Sequence, residues 1–554
     1  MVPANRASDA RMRARPPAAR SGVFLWWVIA TVIALFSSPA ARSRATRVAA
    51  GWLDHLLRLT ALRLRDRSRR RVKVQAGVRF PSSAIRGPFV REPNFGGECG
   101  CTAIRREPVR DWRVGWITGH RARVIAFTTS VTAILLAAHS LSPVGRSLRT
   151  LAEEIASWLS LLWLGAFLPG SLGLIGTLLY RFPSDLDDIR PINRMICWRI
   201  VTAGKNIDIV LSTIRRCRSE MAKMPLALYV IEVVIDECRN VALLPEEDVD
   251  LRIIVVPREY VTPNNSRFKA RALHYALFNS RISDTAWIVH LDEETQPTQS
   301  AIKGVCKFIC QEEASRRLRV GQGALLYHRE WERHPFLTLA DNVRTGDDFA
   351  RFYLQHRFGI TIFGLHGSFI VVRNDVEKAT DGFDFGPHGD ITEDAFWGVK
   401  AMQNGLRCAW VDGFLEEQCC LSVVDFLRQR RRWFHGLVKT VLYAPVKLRW
   451  RFGIGLNTML WALAPFAVVY TIFSFFYGVE IPPVVQVLAS YSFATYALWY
   501  VTGLKANMDE HGIKNFWKLA LIQIFLLPVF CVLEGLGVAW GLVSQAKEFE
   551  VVKK

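Results

Sequence analysis

The chain has 554 residues, more than one ordinary domain holds. Half of them are hydrophobic, with 18 Trp and 33 Phe and a slightly positive mean hydropathy, which excludes a disordered chain and a plain soluble enzyme and points to a soluble domain joined to membrane helices. The formal charge of +21 is concentrated at the start: residues 1–123 carry 25 Lys and Arg against 7 Asp and Glu, and the rest 46 against 43, so the nearly neutral remainder argues against nucleic acid as a partner.

Residues 1–20 are Arg-rich with one acid, Asp9, and precede an apolar run at 23–36. That run reads as a signal peptide, an organelle transit sequence or a short first span, and all three stay open. Residues 1–123 as a whole are expected to be partly disordered. Residues 124–180 read as a transmembrane hairpin with arms at 124–141 and 156–180, the second interrupted by Pro169-Gly170. Arg121 and Arg123 just before it place that face, and everything after Tyr180, in the cytosol, with membrane lipids as partners of the basic stretches. Residues 181–424 hold no membrane-length apolar run and alternate short apolar strands with amphipathic helices, the pattern of an α/β domain. Strands are expected at 197–202, 226–235, 251–256, 287–291, 324–327 and 368–373, and helices at 207–217 and 268–279. Residues 425–450 read as an amphipathic helix on the membrane surface, and 451–554 as three C-terminal spans near 454–477, 484–501 and 516–542. The eleven cysteines show neither a disulfide framework nor zinc-ligand spacing, so buried free thiols are expected, with Cys419-Cys420 a candidate for acylation.

Chemistry concentrates at the ends of apolar stretches. Trp287-Ile-Val-His-Leu291 is a short buried strand that runs into Asp292-Glu-Glu294. An α/β sheet binds its ligand outside the carboxyl ends of its strands. Side chains alternate along an extended chain, so Asp292 and Glu294 share a side and suit a hard divalent cation on a diphosphate, while Glu293 faces away and is structural. A solvated acidic turn is the plain alternative. Asp236 ends a second strand and Lys269 opens a helix; so placed they can read a base and meet a diphosphate, although a helical Lys is commonly only a solvated charge. Glu393 and Asp394 open a helix, where Glu393 is accounted for as a cap or dipole partner. Asp394 has a second use: a one-step inverting displacement at a sugar carbon needs a single base, whereas retention needs a second carboxylate. In Gln429-Arg-Arg-Arg-Trp433, the set Gln429, Arg432 and Trp433 can bond phosphate and hydroxyls and stack on a sugar ring, which leaves Arg430 and Arg431 to anionic lipid.

Taken in this order, Asp236, Lys269-Ala270, Asp292-x-Glu294, Thr392-Glu393-Asp394 and Gln429-x-x-Arg432-Trp433 resemble the family 2 glycosyltransferases. Cellulose and hyaluronan synthases share the order. A closer resemblance is to the Egghead-type β-1,4-mannosyltransferases, carried by Phe268-Lys-Ala-Arg-Ala-Leu-His-Tyr-Ala-Leu277, 287–295, Gly321-Gln-Gly323, Gly367-Ser368, Phe383-Asp-Phe-Gly386 and Asp425-Phe-Leu-Arg-Gln-Arg-Arg-Arg-Trp433. The resemblance implies an α/β GT-A (Rossmann-like) catalytic domain, cytosolic and flanked by transmembrane helices, in a multi-pass protein of the endoplasmic reticulum, Golgi or plasma membrane. It implies that Asp236, Lys269 and Asp292 bind a nucleotide-sugar donor and that Asp292 and Glu294 hold Mn²⁺ or Mg²⁺. Asp394 would then be the base, and Glu393, Gln429, Arg432 and Trp433 would bind diphosphate and acceptor. The expected reaction is inverting transfer of a sugar, mannose from GDP-mannose in the Egghead type, to a lipid or glycan acceptor. The alternative is a processive polysaccharide synthase using a UDP- or GDP-sugar.

Overall fold

The computed structural model describes residues 112–141, 151–181, 186, 189–236, 240–476 and 483–544. The Arg-rich start, its apolar run at 23–36 and most of the expected first domain lie outside them. Eight strands form one mixed sheet in the order β3-β2-β1-β4-β7-β6-β8-β5. They are β1 (Met195–Thr202), β2 (Leu228–Ile235), β3 (Leu251–Val255), β4 (Trp287–Asp292), β5 (Gln296–Pro297), β6 (Val320–Leu326), β7 (Ile370–Arg373) and β8 (Cys408–Glu416). β1 pairs in parallel with β2 and β4, and β2 with β3. β7 then runs antiparallel to both β4 and β6, and β6 pairs in parallel with β8.

Strands buried on both faces are largely apolar, and the buried Arg199 of β1, Glu232 of β2 and His290 of β4 are paired: Arg199 with Glu232 at 2.5 Å, and His290 with Glu377 at 2.9 Å. Helices cover each face. On one side α4 (Ile207–Lys223) and α6 (Gln299–Ser315) pack Val210, Ile214, Val305 and Phe308 against Trp198, Trp287 and Val289. On the other, α5 (Phe268–Asn279) and α10 (Glu393–Gln403) bring Ala270, Leu273, Trp397 and Ala401 against Val201, Val234 and Val372. Because β2 lies on one side of β1 and β4 on the other, a crevice opens at their carboxyl ends.

Seven more helices precede or link these strands and the last spans: α1 (Trp112–Leu141), α2 (Leu151–Leu159), α3 (Trp163–Leu179), α7 (Pro335–Asp347), α8 (Tyr353–Phe358), α9 (Asn374–Lys378) and α11 (Val423–Tyr443). The chain closes with α12 (Leu448–Trp461), α13 (Ala464–Phe476), α14 (Pro483–Glu510) and α15 (Phe516–Val543). Among the described residues, four helical stretches are long and apolar enough to cross a membrane: Ser157–Leu179, Leu448–Tyr470, Pro483–Glu510 and Phe516–Val543. The expected hairpin arm at 124–141 lies within α1, which is tied to α3 through His120 Nε2 and Thr177 O at 3.1 Å and through Arg121 Nε donating to Leu178 O at 3.2 Å.

The sheet-bearing half is joined tightly to these helices. A Cβ on Gly346 of α7 would fall 1.9 Å from Trp499 O, and one on Gly503 of α14 would fall 2.0 Å from Asn342 O, so only glycine allows the two helix backbones to meet. Asn507 completes the joint. Its Nδ2 donates to Asn342 Oδ1 (3.0 Å) and Gly503 O (2.9 Å), and its Oδ1 accepts from Tyr327 N at 2.7 Å, just past the end of β6.

Three sequence readings change here. Residues 425–450 do not form one surface helix: α11 stops at Tyr443, Ala444-Pro445 turns the chain, and α12 begins at Leu448. Arg430 and Arg431 are buried and not presented to lipid. Arg430 Nε donates to Glu534 Oε1 of α15 at 2.6 Å and Nη2 to Asp341 Oδ1 of α7 at 2.8 Å, and Arg431 lies over the Trp540 ring. The acylation candidates Cys419 and Cys420 are also buried, 0% and 2% exposed, and unavailable to a modifying enzyme.

Candidate active site

The site grows from the end of β4. Asp292 is its last residue, and Thr295 N donates to Asp292 O at 3.0 Å to close the following turn. Glu293 leaves in the structural direction, accepting from Thr202 Oγ1 and Asn206 Nδ2, both at 2.6 Å. Asp292 and Glu294 turn the other way and meet a third carboxylate, Glu417. Ligand oxygens of the three lie within 4.8 Å of one another. An all-carboxylate set of this size suits a hard divalent cation such as Mg²⁺ or Mn²⁺.

Glu417 was not singled out in the sequence. It follows β8, where Glu417 N donates to Leu326 O at 2.7 Å and Tyr327 Oη donates to Glu417 Oε2 at 3.1 Å. Arg329 fastens the two acidic turns together: Nη1 donates to Glu294 O at 2.7 Å and Nη2 to Gln418 Oε1 at 3.0 Å. Burial raises the Glu417 pKa, and the Arg344 guanidinium, 3.8 Å away, pulls against it.

Lys269 enters from the first turn of α5. Its Nζ donates to Asp292 Oδ1 and to Gly367 O (3.0 Å) and lies 3.4 Å from Glu393 Oε1. Burial works against its charge, but Asp292 and Glu393 outweigh burial and its pKa is raised. Phe268, just before it, has φ +54°, a left-handed backbone that bulky residues rarely adopt. Gly367 keeps the floor clear: a Cβ there would stand 2.9 Å from Lys269 Nζ and 3.5 Å from Asp394 Oδ2. Its neighbour Ser368 donates from Oγ to Asp292 Oδ2 at 3.1 Å.

Glu393 and Asp394 lie in the first turn of α10. Burial, then the Glu393 charge, push the Asp394 carboxyl up to about 8, with Lys269 opposing. Gly436 on α11 faces Thr392, and the Thr392 and Thr440 hydroxyls are 3.2 Å apart, so α11 crosses the start of α10 closely. That crossing brings Arg432 and Trp433 to the same cavity as Asp394. Trp433 has the Arg344 and Arg430 guanidinium groups against its ring, at 4.4 and 4.7 Å. Gln429 accepts from Arg430 Nη1 at 2.5 Å. Burial lowers the Arg432 pKa, with Asp292 and Glu393 acting the other way. Asp236, one residue past β2, pairs with Arg271 Nη1 at 2.6 Å.

A single cavity of about 720 Å³ joins all of these: Asp236, Lys269, Asp292, Glu294, Glu393, Asp394, Glu417, Gln429, Arg432 and Trp433 line it. Every residue proposed from the sequence therefore reaches one space. The cavity does not end there. It continues between the candidate spans, where Ala166 and Pro169 of α3, Leu460 of α12, Val468 of α13 and Leu527 of α15 form its walls.

The profile of the glycosyl transferase family group 2 matches residues 287–505, from β4 into α14. Among curated proteins, the chain is similar to the β-1,4-mannosyltransferase egh of Drosophila melanogaster, 31% identical over 364 residues, which covers 65% of this chain and 78% of that protein. The chain belongs to the family 2 glycosyltransferases. A second relative of this glycosyltransferase, the β-1,4-mannosyltransferase bre-3 of Caenorhabditis elegans, is 28% identical over 365 residues, 65% of this chain and 78% of its own. Among solved structures, the mannosyltransferase PcManGT from Pyrobaculum calidifontis, in complex with GDP-Man and Mn²⁺, has a TM-score of 0.43 and 14% identity, covering 72% of this chain and 100% of that one. The glycosyltransferase's mixed sheet, with parallel β3-β2-β1-β4 and antiparallel β7 beside β4, is the GT-A arrangement, flanked by apolar helices.

Proposed function

We propose that this glycosyltransferase transfers mannose from GDP-mannose, with inversion to a β linkage, to a lipid acceptor at the cytosolic face of a membrane. The observation that carries this reading is the form of the cavity: a charged chamber at the strand ends that opens directly into an apolar space between the candidate spans. A polar donor fits the first part, and an acceptor with a hydrocarbon tail fits the second. The mannosyl donor is supported by the two mannosyltransferase relatives.

In this reading Asp236 and Lys205 border the nucleotide end, and Lys269 and Arg432 face the diphosphate. A divalent cation held by Asp292, Glu294 and Glu417 would neutralise diphosphate charge as the leaving group departs. Asp394 takes the proton from the acceptor hydroxyl, whose oxygen forms the new bond to the anomeric carbon. The bond from that carbon to the diphosphate oxygen breaks, and its electron pair leaves with GDP. A single base suffices for this inversion, and the raised pKa of Asp394 suits a proton acceptor working near neutral pH.

The test uses the purified full chain with GDP-[¹⁴C]mannose, Mn²⁺ or Mg²⁺, and a glucosylated lipid. Label in the extracted lipid, lost with chelator, supports the proposal. Label that enters the lipid from UDP-sugars and not from GDP-mannose overturns the donor; transfer to free sugars and to no lipid overturns the acceptor.

A further inference from the structure

The arginines around the cavity differ in one respect. A guanidinium presents Nε–H and Nη2–H side by side, an edge that matches two oxygens of a carboxylate or a phosphate. Arg351 turns that edge to Asp347, with Nε at 2.7 Å. Arg430 divides it between Glu534 (Nε, 2.6 Å) and Asp341 (Nη2, 2.8 Å). Arg344 of α7 has no such partner among the described residues. Its Nη2 lies 3.8 Å from Glu417 Oε2, beyond hydrogen-bond length, and its Nη1 is enclosed without a partner.

Arg344 is nevertheless held in place. Its guanidinium carbon lies 4.2 Å from the Tyr327 ring centroid and 4.4 Å from that of Trp433. Such contacts attract the cation and leave its N–H groups to donate elsewhere. Two residues on, the backbone contact of Gly346 with Trp499 fixes α7 against α14. The Arg344 side chain lines the same cavity as Lys269, Asp394 and Arg432 and keeps 16% of its surface exposed. It stands beside Glu417, one of the three carboxylates placed to hold a divalent cation. Three carboxylates outweigh such a cation by one charge, so a bound diphosphate needs further positive charge. Lys269 is committed elsewhere: Asp292 Oδ1, Gly367 O at 3.0 Å and Glu393 Oε1 at 3.4 Å give each of its three N–H groups an acceptor.

Resting on the nucleoside-diphosphate donor reading, we propose that Arg344 is a further catalytic residue, which grips the distal, sugar-bearing phosphate of the donor through its Nε–Nη2 edge. As the bond from the anomeric carbon to the phosphate oxygen breaks, the electron pair stays on that oxygen. Arg344 donates hydrogen bonds to the departing phosphate and gives up no proton. Its contribution grows as negative charge gathers there, and a side chain already held by two rings has little reorganisation to undergo.

The experiment titrates purified full-length protein with GDP and with GMP, which lacks the distal phosphate, by calorimetry at saturating Mn²⁺. Arg344→Met is expected to weaken GDP about 10–100-fold, the loss of hydrogen bonds to a charged group, and to leave GMP binding as in the wild type. GMP binding therefore reports that the site is folded. Arg344→Lys, which restores the charge without the two-pronged edge, should fall between the two. In turnover, Arg344→Met should lose kcat about 10²–10³-fold, with a smaller change in the donor KM. An unchanged ratio of GDP to GMP affinity in a variant that still binds GMP overturns the assignment. The same unchanged ratio with a raised acceptor KM would place the edge on acceptor hydroxyls and overturns it equally. If Arg344→Met binds neither nucleotide, Arg344→Gln, polar and closer in size, decides by the same ratio. UDP and UMP form a parallel series: binding of the uridine pair alone removes the GDP reading, and the role of Arg344 is then read from that pair.

Discussion

Asp394 is held by opposing influences that a mutation can separate. Burial and Glu393 raise its pKa to about 8, while Lys269 and the Ala395 N–H, 2.7 Å from Oδ1, favour the charged form. A carboxyl whose pKa is raised on folding stabilises the fold fully below its unfolded value and loses that contribution as pH rises through the folded value. Asp394→Asn has no charge to bury, so the metal-free variant should melt above the parent at pH 9 and lose that advantage toward pH 4. Its transfer rate should fall roughly 10²–10⁴-fold, the range for removing a general base. An Asp394→Asn protein that melts with the parent at both pH values would contradict the burial argument. Glu417→Gln tests the third carboxylate: Mn²⁺ affinity, read by titration with GDP present, should drop at least about 10–100-fold, the loss typical of even an outer-shell partner. Glu417 escaped the sequence reading for a local reason. It carries the same signal as Asp292, acids just past a strand, but Asp412-Gly413 interrupts the apolar pattern of β8, with Gly413 at φ +86°. Without the strand, its terminal acids read as an ordinary charged turn. Asp292, after five apolar or half-apolar residues without a break, did not have that handicap.

Elements were legible where one segment carried its own periodicity, and obscure where packing against a distant partner decided the outcome. The helix at 268–279 was recovered at both ends, and β1, β2, β3 and β4 to within two residues at either end. The two-residue β5 and the exposure of α11 were not recoverable, because both depend on what lies opposite. An Arg-rich amphipathic face next to a span looks like a lipid-binding face in sequence; here α15 supplies Glu534 and α7 supplies Asp341, and Arg430 is consumed between them. Removing that cation leaves two carboxylates unpaired, one of them fully buried, so Arg430→Met should destabilise by about 3–5 kcal/mol. The joint between α7 and α14 makes a parallel prediction. Asn507→Leu strands Tyr327 N, while the Asn342 side chain keeps His328 and Gln523; at about 1–3 kcal/mol for that buried unsatisfied donor, the detergent-solubilised melting temperature should fall by several degrees. If Asn507→Leu melts with the parent, the network is not holding the catalytic half to the spans.

At the scale of the whole molecule, the question is where the product goes. A processive synthase must pass a growing, hydroxyl-rich chain away from the acceptor position through a corridor that offers hydrogen bonds along its length. The path that leaves the Asp394 chamber runs between α3, α12, α13 and α15, and its walls there include Leu162, Leu463, Val468 and Leu527. Charged groups along it are engaged with one another, Arg351 with Asp347 and Asn457 and Arg430 with Asp341 and Glu534. A polysaccharide would lose its water there without replacement bonds, at a cost of roughly 1–3 kcal/mol for each buried hydroxyl left unpaired. A hydrocarbon tail suffers no such loss. The product should therefore be one hexose longer than the acceptor, however long the incubation and however large the excess of donor. Mass spectrometry of the extracted lipid reads this directly: a single added hexose is the expected species, and a ladder of higher products growing with time would mean that the apolar arm is not the path the acceptor takes.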